Sequence, residues 1–515
     1  MRKNLRRDEE EDQMNEHIFR EYDIRGVVDK DLTDETVYDL ARAIGTFFRA
    51  HGASRASLGR DARESSPRFR DLMIRGLNET GCDVLDVGMV PTPALYFTLF
   101  TERVDCGVMI TGSHNPADNN GFKVCLGNST IFGEHISEIK HIALSKSSAS
   151  GQGKKEERDV VHAYREYIRS RVRMGPRKLK VVVDAGNGMG GFIGAPLYKQ
   201  LGCEVIELFC EPDSRFPNHH PDPTVVENME FAINAVREHN ADLAIAFDGD
   251  ADRIGVVDEG GGIIWGDQLM LIFARQILKE MPGATFIGEV KCSQNLFDDI
   301  KRHGGNPIMW KVGHSLIKSK MKETHAAMAG EMSGHLFFAD RYFGYDDGIY
   351  AGARLIEILS NTNEAVSSLL ADVPKMFNTP EIRVDCADDT KFEVVRVLTE
   401  KFKTTHEVID IDGARILFEH GWGLVRASNT QPVIVMRFEA DSQEHLEQIQ
   451  SLVAAAAGGS RGILPGPCAS CAQPRSTWPM ASWRRASGPW SPAAMTNSRI
   501  LASILIAWRH GSKRC

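Results

Sequence analysis

The sequence lacks any apolar run long enough to cross a bilayer. The nearest candidate, Ile500 to Trp508, is nine residues, against the roughly 18 to 20 that a membrane helix needs. The N-terminus through His17 is dense in Arg, Asp and Glu and has no apolar core of the kind a secretory signal carries. These absences predict a cytoplasmic protein without a membrane partner. Excess positive charge is missing too: the net charge is −9, which argues against binding nucleic acid through a basic field. Paired cysteine spacing is absent from the body of the chain, where Cys82, Cys106, Cys125, Cys203, Cys210, Cys292 and Cys386 stand apart. They are expected to be buried free thiols rather than a disulfide framework. The last absence is local. No Asp or Glu follows Glu447 in 68 residues, although the preceding rate predicts about ten more. That stretch holds eight Lys/Arg, four of the seven Trp and six Pro, without a helical or strand period. Residues 458–515 are therefore expected to be an aberrant, frame-shifted or disordered tail, and the Cys468 and Cys471 pair within it is given no metal or redox role.

What is present is ample for a core. The chain has 515 residues, 42% hydrophobic and 25% charged, so three or four domains of ordinary size are expected. From Leu58 to about Arg437, short β-branched runs alternate with amphipathic segments, the pattern of α/β units with mostly parallel strands. Val108–Ile110, Lys180–Val183, Leu243–Phe247 and Val433–Phe438 read as strands. The Ser, Gly and Lys-rich stretch Ser145–Glu157 reads as a linker, followed by a helix over Val160–Val172. The expected divisions are a charged extension 1–17 and domains at 18–155, 156–259, 260–372 and 373–457. The last is expected to end in a helix near Glu444–Ala457.

Four loops carry chemistry. Thr111-Gly112-Ser113-His114-Asn115-Pro116 follows an apolar run and places a candidate nucleophile at a strand end; on this loop alone, an N-cap serine before a turn is the favoured reading, and the other loops decide. Asp248-Gly249-Asp250-Ala251-Asp252-Arg253 sets three carboxylates at alternate positions, a hard oxygen set suited to Mg²⁺. An EF-hand is rejected because Arg253 stands where that loop requires Gly and Ile254–Val257 reads as a strand. Gly330-Glu331-Met332-Ser333-Gly334-His335 offers a carboxylate, a hydroxyl and an imidazole for reading sugar hydroxyls. Arg426-Ala427-Ser428-Asn429-Thr430-Gln431-Pro432 offers a guanidinium and neutral polar groups for a phosphate. Together they predict phosphoryl transfer to and from a sugar.

These loops, with Ile18-Phe19-Arg20-Glu21-Tyr22-Asp23-Ile24-Arg25-Gly26, Gly59-Arg60-Asp61 with Arg63, Gly121-Phe122-Lys123 and Lys311-Val312-Gly313-His314-Ser315, resemble the α-D-phosphohexomutase family, nearest its phosphomannomutase/phosphoglucomutase branch. The resemblance runs from Ile18 to about Ala457. It implies an α/β fold of four domains around a central cleft: three similar α/β units and a smaller α+β C-terminal domain. It implies a phosphorylated Ser113, Mg²⁺ on Ser113, Asp248, Asp250 and Asp252, and a hexose 1,6-bisphosphate intermediate or activator. Mannose or glucose phosphates would be the substrates. Arg25, His114, Lys123, Arg253, His314 and His335 would surround the transferring group, with Lys123 or His335 as general acid or base. Lys123 is expected to lose its proton readily among neighbouring cations. Tyr22, Lys291, His314, Glu331, Ser333, Arg426, Ser428, Asn429 and Thr430 would bind substrate, and a monomer or weak oligomer is expected. Met332 stands where phosphoglucosamine mutases carry Gln, which disfavours that alternative.

Two readings of other classes remain. Lys180–Asp184 followed by Gly186-Asn187-Gly188-Met189-Gly190-Gly191, with Glu207 or Glu211 about 20 residues on, satisfies the fingerprint of an NAD(P)-dependent oxidoreductase. Close strand-to-helix packing explains the same glycines. The other is a sugar-phosphate binding protein without catalysis.

Overall fold

The computed structural model describes residues 14–429 and 431–458. The expected tail beyond Gly458, the first thirteen residues and Thr430 lie outside the described residues. The chain divides into two units, Met1–Pro374 and Lys375–Cys515, and each is described by itself.

The first unit contains three sheets built on one plan. In each, three parallel strands lie in the spatial order second, first, third, and the chain then reverses so that a fourth strand runs antiparallel beside the third. In the first sheet these are Arg55–Arg60, Asp83–Met89, Cys106–Ile110 and Asn119–Leu126. In the second they are Lys180–Asp184, Glu204–Leu208, Leu243–Phe247 and Ile254–Asp258. In the third they are Thr285–Glu289, Asn306–Trp310, Met328–Gly330 and Leu336–Phe338. Ligands of open α/β sheets gather at the carboxyl ends of parallel strands. The reversal after each third strand carries, in order, the serine loop, the triple-aspartate loop and the Glu331–His335 loop. Three motifs found separately in sequence thus occupy one topological position in three repeats.

The central strands are apolar throughout because helices cover both faces. Leu243, Ala244, Ile245, Ala246 and Phe247 are all buried. The seven described cysteines are buried free thiols. Two expected divisions take a different form. Lys155–Glu157, the end of the expected linker, pairs in parallel with Asp83–Met89 as an edge strand of the first sheet. The glycine-rich break after Glu259 is a hairpin turn, with Ile263–Ile264 returning to pair with Val256 and Val257. Composition marked both as breaks because short edge strands and tight turns are themselves rich in Gly and polar residues.

The fingerprint glycines serve packing. A Cβ on Gly190 would lie 2.4 Å from Phe247, and one on Gly191 would lie 2.5 Å from the Cys210 backbone. Both glycines let the strand-to-helix turn pack directly against Phe247 and Cys210.

The second unit is a six-stranded sheet whose pairings are antiparallel. The helices Lys391–Lys403 and Gln443–Gly458 supply Leu398, Phe402, Leu446 and Ile449 to its core.

An unforeseen acidic pair, Asp346 and Asp347, opens the helix Gly348–Ser360. Asp347 is the N-cap: Tyr350 N donates to Oδ1 at 2.8 Å, and the hydroxyls of Tyr164 and Tyr342 each donate to Oδ2 at 2.8 Å. Burial nonetheless raises its carboxyl to about 6, because three donors do not replace a hydration shell. Between the ordinary aspartate range and pH 6 the folded chain therefore binds this proton more tightly than the unfolded chain. Stability from this group is greatest at low pH and is lost as pH rises through about 6. We expect wild-type stability to fall by roughly 2 kcal/mol more than that of Asp347→Asn between pH 4 and pH 7, read by urea melts of both. Parallel pH profiles would refute this.

Candidate active site

Ser113 sits on the reversal between Cys106–Ile110 and Asn119–Leu126 with φ +47°, a left-handed conformation that costs a non-glycine residue energy. One buried guanidinium holds the loop in that shape. Arg63, 2% exposed, donates to the carbonyls of Ser113 (2.9 Å), Asn115 (2.6 Å), Pro116 (2.5 Å) and Asn119 (2.8 Å), and its Nε reaches Asp61 at 3.2 Å. Gly112 is required here, since a Cβ would lie 2.4 Å from the Arg63 Nε. From the second sheet's side, Phe216 lies against the guanidinium at 5.4 Å, and His220 Nε2 bonds the His114 carbonyl. The sequence placed Arg63 in the family resemblance but assigned it no task. Apart from Asp61, its partners are backbone carbonyls, which leave no sequence signature.

Ser113 Oγ lies 2.8 Å from Asp248 Oδ2 and 3.1 Å from His114 Nδ1. A hydroxyl has one proton, so with the carboxylate accepting it, the His114 Nδ1–H donates to Oγ. Burial, with Arg253 and Arg25 adding to it, holds the His114 imidazole well below its ordinary pKa and therefore neutral. Asp248, Asp250 and Asp252 are each 0% exposed, and one oxygen from each lies within 4.8 Å of the others. Burial and then the other two carboxylates push Asp248 well up.

Lys123 offsets part of this repulsion. Its ammonium is 2.7 Å from Asp250 Oδ2 and also bonds Asp252 Oδ2. Burial disfavours its charge, but Asp250 and Asp252 outweigh burial and raise its pKa. This corrects the expectation that Lys123 loses its proton readily: its nearest neighbours are anions, so here it is a fixed cation. Thr92 also donates to Asp250 Oδ2. Asp250 Oδ1 and Asp252 Oδ1 remain buried without a hydrogen-bond partner. Orphaned hard oxygens beside a third carboxylate are what a divalent cation of the Mg²⁺ class requires, so the residues fit such an ion.

The third loop joins this cluster through an antiparallel bridge between Arg253 and His335, with Ile254 N donating to Gly334 O at 3.1 Å. Arg253 Nε donates to His335 Nε2 at 2.9 Å. The imidazole proton is then on Nδ1, which faces Asp346 Oδ2 at 3.1 Å and Asp252 Oδ1 at 3.6 Å. Lys318 Nζ holds the other Asp346 oxygen at 2.9 Å. His314 stacks on His335 at 5.7 Å between ring centres. Burial and then Lys318 keep His314 well below its ordinary pKa. Glu331 accepts from Gly313 N at 2.8 Å, and Tyr22 donates to Val312 O at 3.0 Å. Lys291 N donates to Glu289 at 2.6 Å, and Glu289 also accepts from Met332 N at 3.2 Å. Ser333 is half-buried on the same loop. Arg25 is held on Asp23 at 2.9 Å, on a strand paired with the one carrying Lys123. The first unit thus brings together Tyr22, Arg25, Ser113, His114, Lys123, the three aspartates, Arg253, Lys291, His314, Glu331, Ser333 and His335. Asp346, Lys318 and Thr92 were missed, because each stands in an ordinary helix or strand context with no local motif.

In the second unit, Arg426 ends the strand Gly421–Ala427 and is paired with Asp412 at 3.1 Å. Ser428 N donates to Val433 O at 3.0 Å, and its Oγ accepts from Gln431 N at 3.1 Å, closing the turn that carries Asn429.

Four family models match successive parts of the chain. They are described as phosphoglucomutase/phosphomannomutase alpha/beta/alpha domain I (residues 16–150), domain II (162–261), domain III (265–377) and the C-terminal domain (381–456). The chain belongs to the phosphoglucomutase/phosphomannomutase family. It is similar to the phosphomannomutase/phosphoglucomutase of Pseudomonas aeruginosa, 48% identical over 84% of this chain and 94% of that one. The phosphoglucomutase of Neisseria gonorrhoeae is also 48% identical, over 84% and 95%. A solved structure of a phosphoglucomutase/phosphomannomutase family protein from Burkholderia thailandensis matches with TM-score 0.82 and 42% identity, covering 87% of this chain and 99% of that one.

Lysine cannot reproduce the Arg63 fork, because an ammonium lacks the planar set of donors. Losing two carbonyl bonds at about 1 kcal/mol each favours local opening of the loop by roughly tenfold or more. Arg63→Lys should therefore speed amide exchange at residues 112–119 by that factor, while core strands such as Leu243–Phe247 keep wild-type rates. Unchanged exchange in the loop would refute its role as loop organiser.

Proposed function

We propose that the chain is a phosphohexomutase, interconverting hexose 6-phosphates and hexose 1-phosphates of mannose and glucose, with Ser113 carrying the phosphoryl group between two transfers. The observation that carries this reading is the Ser113 hydroxyl bonded to Asp248 within a buried aspartate triad, in a chain of this family.

In the first transfer the bond from phosphorus to Ser113 Oγ breaks as a sugar hydroxyl oxygen bonds to phosphorus, and the hydroxyl proton goes to a base. In the second, the bond from phosphorus to the oxygen at the other end of the bisphosphorylated sugar breaks as Ser113 Oγ bonds to that phosphorus, and the released sugar oxygen takes up a proton from the same acid–base group. Asp248, Asp250 and Asp252, with Ser113, would hold a Mg²⁺-class ion, which supplies neutralisation of charge on the phosphoryl oxygens. Arg25, Arg253 and Lys123 supply fixed positive charge for the same oxygens. His114 steadies Oγ through its Nδ1–H. His335 is assigned the proton: its Nε2 takes it as Arg253 leaves that nitrogen for the phosphoryl oxygens, and Asp346 on the far side stabilises the imidazolium that forms.

Glu331 and Ser333 are assigned the sugar hydroxyls, with Tyr22, Lys291 and His314 beside them. Arg426, Ser428, Asn429 and Thr430 are assigned the phosphate that is not reacting. Mannose and glucose phosphates differ only at C2, so a reader of O3 and O4 accepts both. The names of the Pseudomonas and Neisseria relatives support that breadth. Hexose 1,6-bisphosphate is the proposed activator. No helix among the described residues is long and apolar enough to cross a membrane.

Intact mass before and after incubation with glucose 1,6-bisphosphate tests the reading. Wild type should gain one phosphate and Ser113→Ala none, with mutase turnover abolished in the variant. A phosphate gained equally by Ser113→Ala would overturn the role of Ser113.

A further inference from the structure

In the second unit, two histidines and an aspartate converge on one point of the surface. His420 stands in the two-residue turn between the strands Ala414–Phe418 and Gly421–Ala427, and His445 in the first turn of the helix Gln443–Gly458. Asp441 follows the strand Val433–Ala440. His420 Nδ1 lies 3.0 Å from one Asp441 oxygen and His445 Nδ1 lies 2.5 Å from the other. The two rings stack with centres 3.9 Å apart and planes 6° from parallel. Rings held face to face, each with Nδ1 on the same carboxylate, direct their nitrogens to the same side. The backbone supports this placement, since Asp441 N donates to His420 O at 3.0 Å and His445 N donates to Ser442 Oγ at 3.2 Å. One ligand atom from each of the three side chains lies within 4.8 Å of the other two.

We propose that His420, Asp441 and His445 form a surface site for a transition-metal ion of the Zn²⁺ class, separate from the aspartate triad. Two imidazoles and one carboxylate are the donor set such ions favour, whereas Mg²⁺ takes oxygen ligands. Each imidazole binds in its neutral form, exchanging its hydrogen bond to Asp441 for a bond to the ion, with its own proton on Nε2. The side chains are 45%, 49% and 31% exposed for His420, Asp441 and His445, which leaves room for water as a further ligand. The three ligands come from a hairpin turn, a strand end and a helix start. A bound ion ties the C-terminal helix to the sheet it covers and stabilises the folded unit by mass action.

The test uses the full chain in saturating Mg²⁺, titrated with Zn²⁺ against a chromophoric chelator. Wild type should bind one equivalent more than His420→Gln/His445→Gln, and Zn²⁺ should raise the melting temperature of wild type more than that of the variant. Zinc held by the aspartates or by the C-terminal cysteines is common to both proteins and cancels in the comparison. Mutase turnover of the variant without zinc should match wild type, which reports an intact fold. If the double variant melts early, His420→Gln alone, at an exposed turn, should bind zinc about tenfold more weakly than wild type. Equal stoichiometry and affinity in wild type and a folded variant would overturn the proposal.

Discussion

Three carboxylates of Asp248, Asp250 and Asp252 lie fully buried within a few ångströms of one another, and the rest of the first unit is arranged around that fact. Charges removed from water are costly unless cations and hydrogen bonds surround them. Lys123 comes from the first sheet, Arg253 from the second and the His335 with its Asp346 and Lys318 partners from the third. Each sheet contributes at the same reversal of its chain or on a strand beside it. The constraint therefore acts between repeats as much as within them, and the sheets are locked by groups that are also the chemical ones.

A second consequence concerns preorganisation. Ser113 is held in a left-handed conformation by a guanidinium that occupies the carbonyls of its own loop. A nucleophile fixed in this way loses little further freedom when it reacts, which is where positioning contributes most to a phosphoryl transfer. The neutral His114 and the cationic Lys123 divide the remaining tasks by environment. Burial, with Arg253 and Arg25 nearby, keeps the one neutral, and two carboxylates outweigh burial to keep the other charged.

Much of the architecture was legible in the chain. Leu243–Phe247 is an unbroken apolar run between polar loops, so its identity as a buried strand needs only local information. The same holds for Lys180–Asp184 and the helix Gln443–Gly458. The hairpin turn after Glu259 and the edge strand Lys155–Glu157 were read as breaks, because a strand of three exposed residues has no apolar pattern to announce it. The residue types of the site were readable because Ser, His and closely spaced Asp are uncommon together at strand ends. Arg63, Thr92, Lys318 and Asp346 were not, since their partners lie in other elements.

The sequence by itself determined the α/β plan, the four loops and the kinds of side chain available for phosphoryl transfer. Those depend on periodicity, turn residues and composition, all of which act over a few neighbouring positions. Only the tertiary structure decided what each side chain experiences. Ser113 meets an aspartate 135 positions away, and Lys123 meets two others 127 and 129 positions away. The sign of the field at Lys123 was misjudged from sequence for that reason. A pKa is set by charges within a few ångströms of space, and neighbours in space are chosen by the fold.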